Sequence, residues 1–201
     1  MLNSVPENGV PNAGVAQTRV EFLLSQQRYQ PALSLVRTTI AKSPELSEDT
    51  KQDLESSAAI AEAHIGMKKH AQAWLAAAAA SEPHDAKPED TAQDLLTAAE
   101  IYLPLGMDQQ ALTAAKSAQA YFAGSEQLDS ELRSAGLAAI ASRALGDETS
   151  YEYFSKKIVD IIKQLRQTWG PDFLGTYLAR PDIRDLTQVT QVTQDRPKFV
   201  R

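Results

Sequence analysis

The sequence predicts an all-α protein, an α-solenoid of about four antiparallel helix pairs with one capping helix at its C-terminal end. Three observations predict this fold class. A seven-residue segment that begins with Leu-Gly or Ile-Gly recurs, and its last residue falls at 71, 111 and 151, in steps of 40. A fixed period of this size is typical of stacked supersecondary units. Apolar residues make up 43% of the chain but aromatic residues only 6%, so Ala and Leu dominate, as in closely packed helices. The third observation is that apolar residues within each segment recur at helical spacing.

Each predicted helix has its own start or stop signal. Pro31 suits the first turn of the second helix. Ser47, Asp108, Ser125 and Asp147 are expected to cap the starts of later helices, because their side chains can accept hydrogen bonds from free backbone N–H groups. The predicted helices span about 13–27, 31–42, 48–65, 69–81, 88–105, 109–124, 126–146, 148–168 and 171–180.

The two ends of the chain differ from the repeated region. Residues 1–12 are polar and contain two prolines, which predicts a disordered segment. The last helix, 171–180, carries Phe173, Leu174 and Tyr177 on one stripe and is expected to cap the apolar face of the final pair, with Pro181 at its end. The predicted domain organisation is therefore a repeat domain over 13–186, which includes the capping helix, and a flexible tail over 187–201.

The repeated positions resemble those of tetratricopeptide repeats. Small residues stand 40 apart at Ala59, Ala99 and Ala139, where that family brings two helices together. Two segments match best, Leu105-Gly106 with Ala111, Ala115 and Ala118, and Ile65-Gly66 with Ala71, Leu75, Ala78 and Pro83; Tyr29, Ala32, Val36 and Pro44 fit in the first pair. The usual period is about 34 residues, so the resemblance is to a long-period variant.

The resemblance implies a peptide-binding groove lined by the first helix of each pair. The residues of this chain at those places are Ile60, His64, Leu96, Glu100, Leu103, Arg133, Ile140 and Arg143. Some family members hold a peptide's terminal carboxylate with Lys, Arg and Asn, but the first three pairs offer few such residues here. Arg133 and Arg143 instead favour a helical or extended segment that carries acid. For Leu96, Leu103 and Ile140, packing between neighbouring pairs is an equal alternative.

No motif in the sequence indicates catalysis or a cofactor. There is no glycine-rich phosphate loop, no nucleophile elbow and no cysteine. His64 and Glu62 stand two apart on a helix and point to different sides, and no third ligand accompanies a possible approach of His64 to His70. We predict no catalytic residue, no metal site, no cofactor and no enzymatic activity.

Charge and hydropathy limit the partners and the location. The net charge is −6; residues 156–201 hold nine Lys/Arg and five Asp, a balance of +4, so residues 1–155 carry −10. An acidic body argues against nucleic acid as a partner. No apolar run approaches the roughly 20 residues of a membrane span, and the N-terminus lacks a signal-peptide core. A soluble, cytoplasmic protein is predicted.

These observations favour a non-catalytic scaffold module that binds a peptide or protein segment in its concave groove. One alternative is a regulatory or oligomerising segment of a larger multidomain signalling protein, which the polar ends would serve as linkers. Another is a helical enzyme or cofactor-binding bundle, which only the approach of His64 to His70 favours. The sequence does not identify the partner, and it leaves the formation of homo-oligomers open.

Overall fold

The computed structural model describes residues 13–81 and 87–188, and over these ranges the chain is helical with no strand. The all-α prediction is thus confirmed for this part of the chain. No helix in it is long and apolar enough to cross a membrane. The predicted disordered segment 1–12 and residues 189–201 of the predicted tail lie outside the described residues. The helices are α1 (Ala13–Ser25), α2 (Tyr29–Lys42), α3 (Glu48–His64), α4 (Lys68–Ser81), α5 (Pro88–Tyr102), α6 (Asp108–Phe122), α7 (Leu128–Leu145), α8 (Glu148–Trp169), α9 (Pro171–Leu178) and α10 (Pro181–Thr187).

The chain divides into two compact units, Met1–Trp74 and Leu75–Arg201. In the first unit, α1, α2 and α3 pack against one another around a small apolar core. In the second unit, α5, α6, α7 and α8 each pack against the next, α5 also contacts α7, and α10 contacts α7 and α9. The single repeat domain over 13–186 stays a prediction.

The recurring Leu-Gly or Ile-Gly segment folds into the same turn after α3, α5 and α7. In the second of these turns the N–H of Gly106 donates to the carbonyl of Leu103 at 3.0 Å, and the N–H of Met107 donates to the carbonyl of Tyr102 at 3.0 Å. This pair of bonds closes the last helical turn and requires a left-handed residue, for which glycine has no steric cost. The glycines at positive φ in these turns are Gly66, Gly106 and Gly146, with φ of 82°, 74° and 72°.

The same turn also follows α1, where the residue is not a glycine. Gln27 stands 39 positions before Gly66 and has a φ of 55°. Its N–H donates to the carbonyl of Leu24, and the N–H of Arg28 donates to the carbonyl of Leu23, both at 2.8 Å. The repeated turn therefore extends to the first helix pair, where the glycine signal is missing from the sequence.

Two of the four predicted side-chain caps are present. Ser47 accepts from the N–H of Thr50 at 3.3 Å, and Asp147 accepts from the N–H of Ser150 at 3.0 Å. Asp108 is instead the first residue of α6, and Met107 holds the cap position without a side-chain bond.

The start of α7 also differs from the prediction. The helix begins at Leu128, because Ser125 serves the preceding turn instead of capping α7. Its hydroxyl donates to the carbonyl of Phe122 at 3.1 Å and accepts from the N–H of Gln127 at 3.4 Å.

The C-terminal end has one helix more than the sequence predicted. Pro181 was expected to end the capping helix, and α9 does end before it, at Leu178. The same proline then opens α10, because a ring that fixes φ and lacks an N–H is tolerated in a first helical turn. Helix α10 occupies residues 181–186, for which no helix is predicted within the domain, and residue 187, the first of the predicted tail.

Ala99 lies in the core of the second unit and is fully buried, in the same cluster as Ala111, Ala115 and Ala118. We expect Ala99→Leu to lower the free energy of unfolding by about 1–3 kcal/mol, because extra methylene groups in a packed core force neighbouring helices apart. Chemical denaturation measures this change. Ala120→Leu on the exposed side of α6 is the matched control, and we expect it to change stability by less than about 0.5 kcal/mol. Equal effects of the two substitutions would contradict the prediction.

Candidate functional site

The two predicted groove residues of the first unit lie on α3. Ile60 is half-buried. His64 remains exposed as a residue, but one face of its ring stacks on Tyr29 with centroids 4.1 Å apart and an interplanar angle of 5°. Burial of the imidazole lowers the pKa of His64, which favours the neutral form.

The neighbouring Glu62 pairs with other side chains. It is buried, accepts a hydrogen bond from Arg37 at 3.0 Å, and lies 3.7 Å from Nδ1 of His70. Within the described part of the chain, no three His, Asp or Glu side chains stand close enough to hold a metal ion.

Three predicted groove residues of the second unit contribute to its core. Leu96 is buried at 3% exposure, and Leu103 and Ile140 are half-buried and pack against the same core cluster. These positions correspond to the packing alternative that the sequence left open for them.

Arg133 on α7 lies at the centre of a cluster of charged groups. Its Nη2 donates to Oε1 of Glu100 on α5 at 2.5 Å, and its Nη1 donates to Oδ2 of Asp182 on α10 at 2.8 Å. The three side chains retain 22%, 15% and 14% of their exposure, respectively. Hydrogen bonds between ionised groups are stronger than neutral ones, so Arg133 ties α5 and α10 to α7.

Helix α9 and the α9–α10 connection add further contacts. Arg180 donates to both carboxylate oxygens of Asp182, at 3.2 and 2.8 Å, and its guanidinium lies 5.4 Å from the centre of the Tyr177 ring. The Tyr177 hydroxyl donates to Asp129 on α7. We call the whole set the arginine–carboxylate network, and its members are Glu100, Asp129, Arg133, Tyr177, Arg180 and Asp182.

The charged groups of this network shift the pKa values of Arg133 and Tyr177. Desolvation would lower the pKa of Arg133, but the carboxylates of Glu100, Asp129 and Asp182 outweigh it and raise that pKa, so the guanidinium stays charged. Burial, together with the negative charge of Asp129, raises the pKa of Tyr177, so its phenol keeps its proton. With three carboxylates and two guanidinium groups, the network has a net charge of −1.

An apolar contact beside the network holds α10 on α7. Ile183 and Leu186 are the buried residues of α10, at 0% and 8% exposure. A Cβ placed on Gly136 would lie 2.8 Å from Cβ of Leu186, closer than real Cβ atoms approach. Glycine inside a helix is about 0.5–1 kcal/mol less favourable than alanine; here it permits α10 to lie directly on α7. Arg133 and Gly136, three residues apart, share one face of α7.

At Arg133, the chain's own C-terminal segment therefore covers the face that was expected to bind a partner. The predicted ligand was a helical or extended segment that carries acid, and α10 with Asp182 has that chemistry. The sequence patterns do not single out Asp129, Gly136 or Asp182 as site residues. An isolated glycine in a helical pattern and the second Pro-Asp pair at 181–182 were the available signals.

Arg143, the last predicted groove residue, lies at the C-terminal end of α7 and is exposed. In the described ranges its side chain forms no ion pair. It differs in this from Arg133, whose guanidinium is occupied by the network.

Comparison of the chain with models of protein families, with curated proteins and with solved structures finds no match.

Proposed function

We propose that this chain is a non-catalytic interaction module that binds a protein or peptide segment on the face of α5 and α7. We further propose that its helices form antiparallel pairs of the tetratricopeptide type, in a long-period variant. The four equivalent turns after α1, α3, α5 and α7 support this proposal, as do the buried alanines at 59, 99 and 139. In such arrays the first helices of successive pairs line one extended surface.

The observation that carries the proposal is the seat of α10 on α7. One face of α7 has the charged guanidinium of Arg133 and, at Gly136, a site where Leu186 packs directly against the helix. The short helix α10 contacts both, through Asp182 and Leu186. A surface of this kind selects acid at one point and an apolar side chain at another.

Arg143 provides the cleanest test of this face, since Arg133 also supports the protein's own structure. We expect Arg143→Glu to abolish retention of a specific protein from the source lysate, because a charge reversal repels an acidic segment. Arg166→Glu on α8 is the matched control, as it is also an exposed arginine near a helix C-terminus, and it should leave retention unchanged.

The retained protein should also bind the purified chain in isothermal calorimetry. A partner that is retained equally by wild type and by both variants would place the binding surface away from Arg143. Equal loss with both variants would indicate a general charge effect and contradict the proposal.

A further inference from the structure

We propose that α10 is a displaceable intramolecular ligand, and that the surface beneath it binds a short helix of a partner protein. That helix has an acidic residue in its first turn and apolar residues one and four positions later, as α10 does with Asp182, Ile183 and Leu186. This inference rests on the proposed function and specifies the chemistry of its partner.

The contacts that attach α10 to the network and to Gly136 can be reproduced by another chain. Its carboxylate meets Arg133 and Arg180, Ile183 is buried, and Leu186 lies over Gly136. The rest of α10 is exposed or half-buried. A partner helix with the same three side chains would form the same ion pairs and bury the same apolar surface.

The vacated surface would offer a free guanidinium donor to an acidic segment. Without Asp182 the remaining network has two carboxylates, Glu100 and Asp129, and two guanidinium groups, so its net charge rises from −1 to 0. Among the described ion pairs, Arg180 has no carboxylate partner other than Asp182, which lies two residues further along the same segment. Nη1 of Arg133, which donates to Asp182 while α10 lies on α7, would then be available to an incoming carboxylate.

Helix α9 can stay in place while α10 leaves. Leu174 and Tyr177 are buried, Tyr177 donates to Asp129, and α9 contacts α8. By contrast, α10 is a seven-residue helix with two buried apolar side chains, whereas α7 is buried along most of its length. Segments with few buried contacts open locally without global unfolding.

The test uses the full chain and a fluorescent peptide with the sequence of residues 179–188. We expect Leu186→Ala to bind this peptide about tenfold more tightly than wild type, because a weaker internal ligand leaves the surface free for a larger fraction of the time. Gly136→Ala also loosens α10, but its methyl group fills the place of the peptide's leucine, so this variant should show no binding. A peptide with Lys in place of Asp182 is the control and should not bind.

Three outcomes would overturn the proposal. One is equal binding, or no binding, by wild type and Leu186→Ala; another is equal binding by Gly136→Ala and Leu186→Ala. The third is a doubling of molecular mass in Leu186→Ala without peptide, seen by light scattering, which would make the α10 of a second copy the occupant.

Amide hydrogen exchange on the unaltered protein gives an independent test that no folding defect can confound. We expect amides in α10 to exchange at least about 100-fold faster than those in α7, because α10 opens locally. Equal protection of the two helices would overturn the proposal. If these tests fail while Arg143→Glu still abolishes partner retention, the proposed function stands and only the role of α10 is wrong.

Discussion

Arg133→Gln is expected to lower the free energy of unfolding by about 3 kcal/mol, since removal of one partner from a largely buried ion pair leaves the other charges uncompensated. The substitution leaves Glu100 without its arginine, and Asp182 keeps only Arg180. A neutral amide cannot replace a guanidinium that meets two carboxylates at once. Urea denaturation followed by circular dichroism measures the change. Arg143→Gln on the same helix is the control, and we expect it to stay within about 0.5 kcal/mol of wild type.

A double-mutant cycle shows whether the loss arises at the contact between α7 and α10. We expect Asp182→Asn to be less harmful in the Arg133→Gln background than in wild type, with a coupling of about 0.5–3 kcal/mol. Additive effects would mean that the two side chains do not interact in solution. In that case the ion pair between Arg133 and Asp182 would not help to hold α10 on α7.

Tyr177→Phe is expected to destabilise the protein by about 1.5–3 kcal/mol at neutral pH, because it removes a hydrogen bond to a charged group and leaves Asp129 without that donor. The ring stays, so its contact with Trp169, at a centroid distance of 5.1 Å, is preserved. Thermal or urea unfolding measures the effect. Tyr153→Phe on the exposed side of α8 is the matched control and should be neutral. Equal stability of the two variants would show that the bond to Asp129 contributes nothing.

The same tyrosine predicts a loss of stability in alkali. Its pKa is raised in the folded protein above the ordinary value of about 10, so the folded state holds the proton more tightly than the unfolded state. This contribution is fully present below about pH 10 and is lost above it, at up to about 1.4 kcal/mol for each pH unit. Unfolding free energies measured from about pH 8 to about pH 11 should therefore fall more steeply for wild type than for Tyr177→Phe. Parallel curves would contradict the prediction.

Arg133→Gln removes a contact between α7 and α10, and Tyr177→Phe removes one between α7 and α9. The effects of these two variants therefore bear on function. If α10 is a displaceable ligand, Arg133 has two roles, in the stability of the chain and in the recognition of a partner. Arg143 has no such structural role in the described part of the chain. Charge reversal at Arg143 and truncation at Leu186 therefore separate binding from folding more cleanly than any change at Arg133.

The sequence by itself determined the helices from α1 to α9 and the glycine turns after α3, α5 and α7. Short-range patterns carry that information: a glycine in the left-handed conformation at 66, 106 and 146, the capping side chains of Ser47 and Asp147, and small residues at a period of 40. The turns and caps depend on bonds that span five residues or fewer, and the small residues repeat the same local pattern in each unit. Such patterns do not predict every turn, because Gln27 adopts the same left-handed conformation without being a glycine.

The tertiary structure alone decided which charges meet. Arg133 was identified from the sequence as a groove residue, but its partners Glu100 and Asp182 stand 33 and 49 positions away. Many carboxylates in an acidic chain could have served, and only the packing of α5, α7 and α10 selects these two. The need for glycine at position 136 likewise follows only from the packing of Leu186 against it. Long-range contacts depend on where whole helices lie, and no local spacing encodes that.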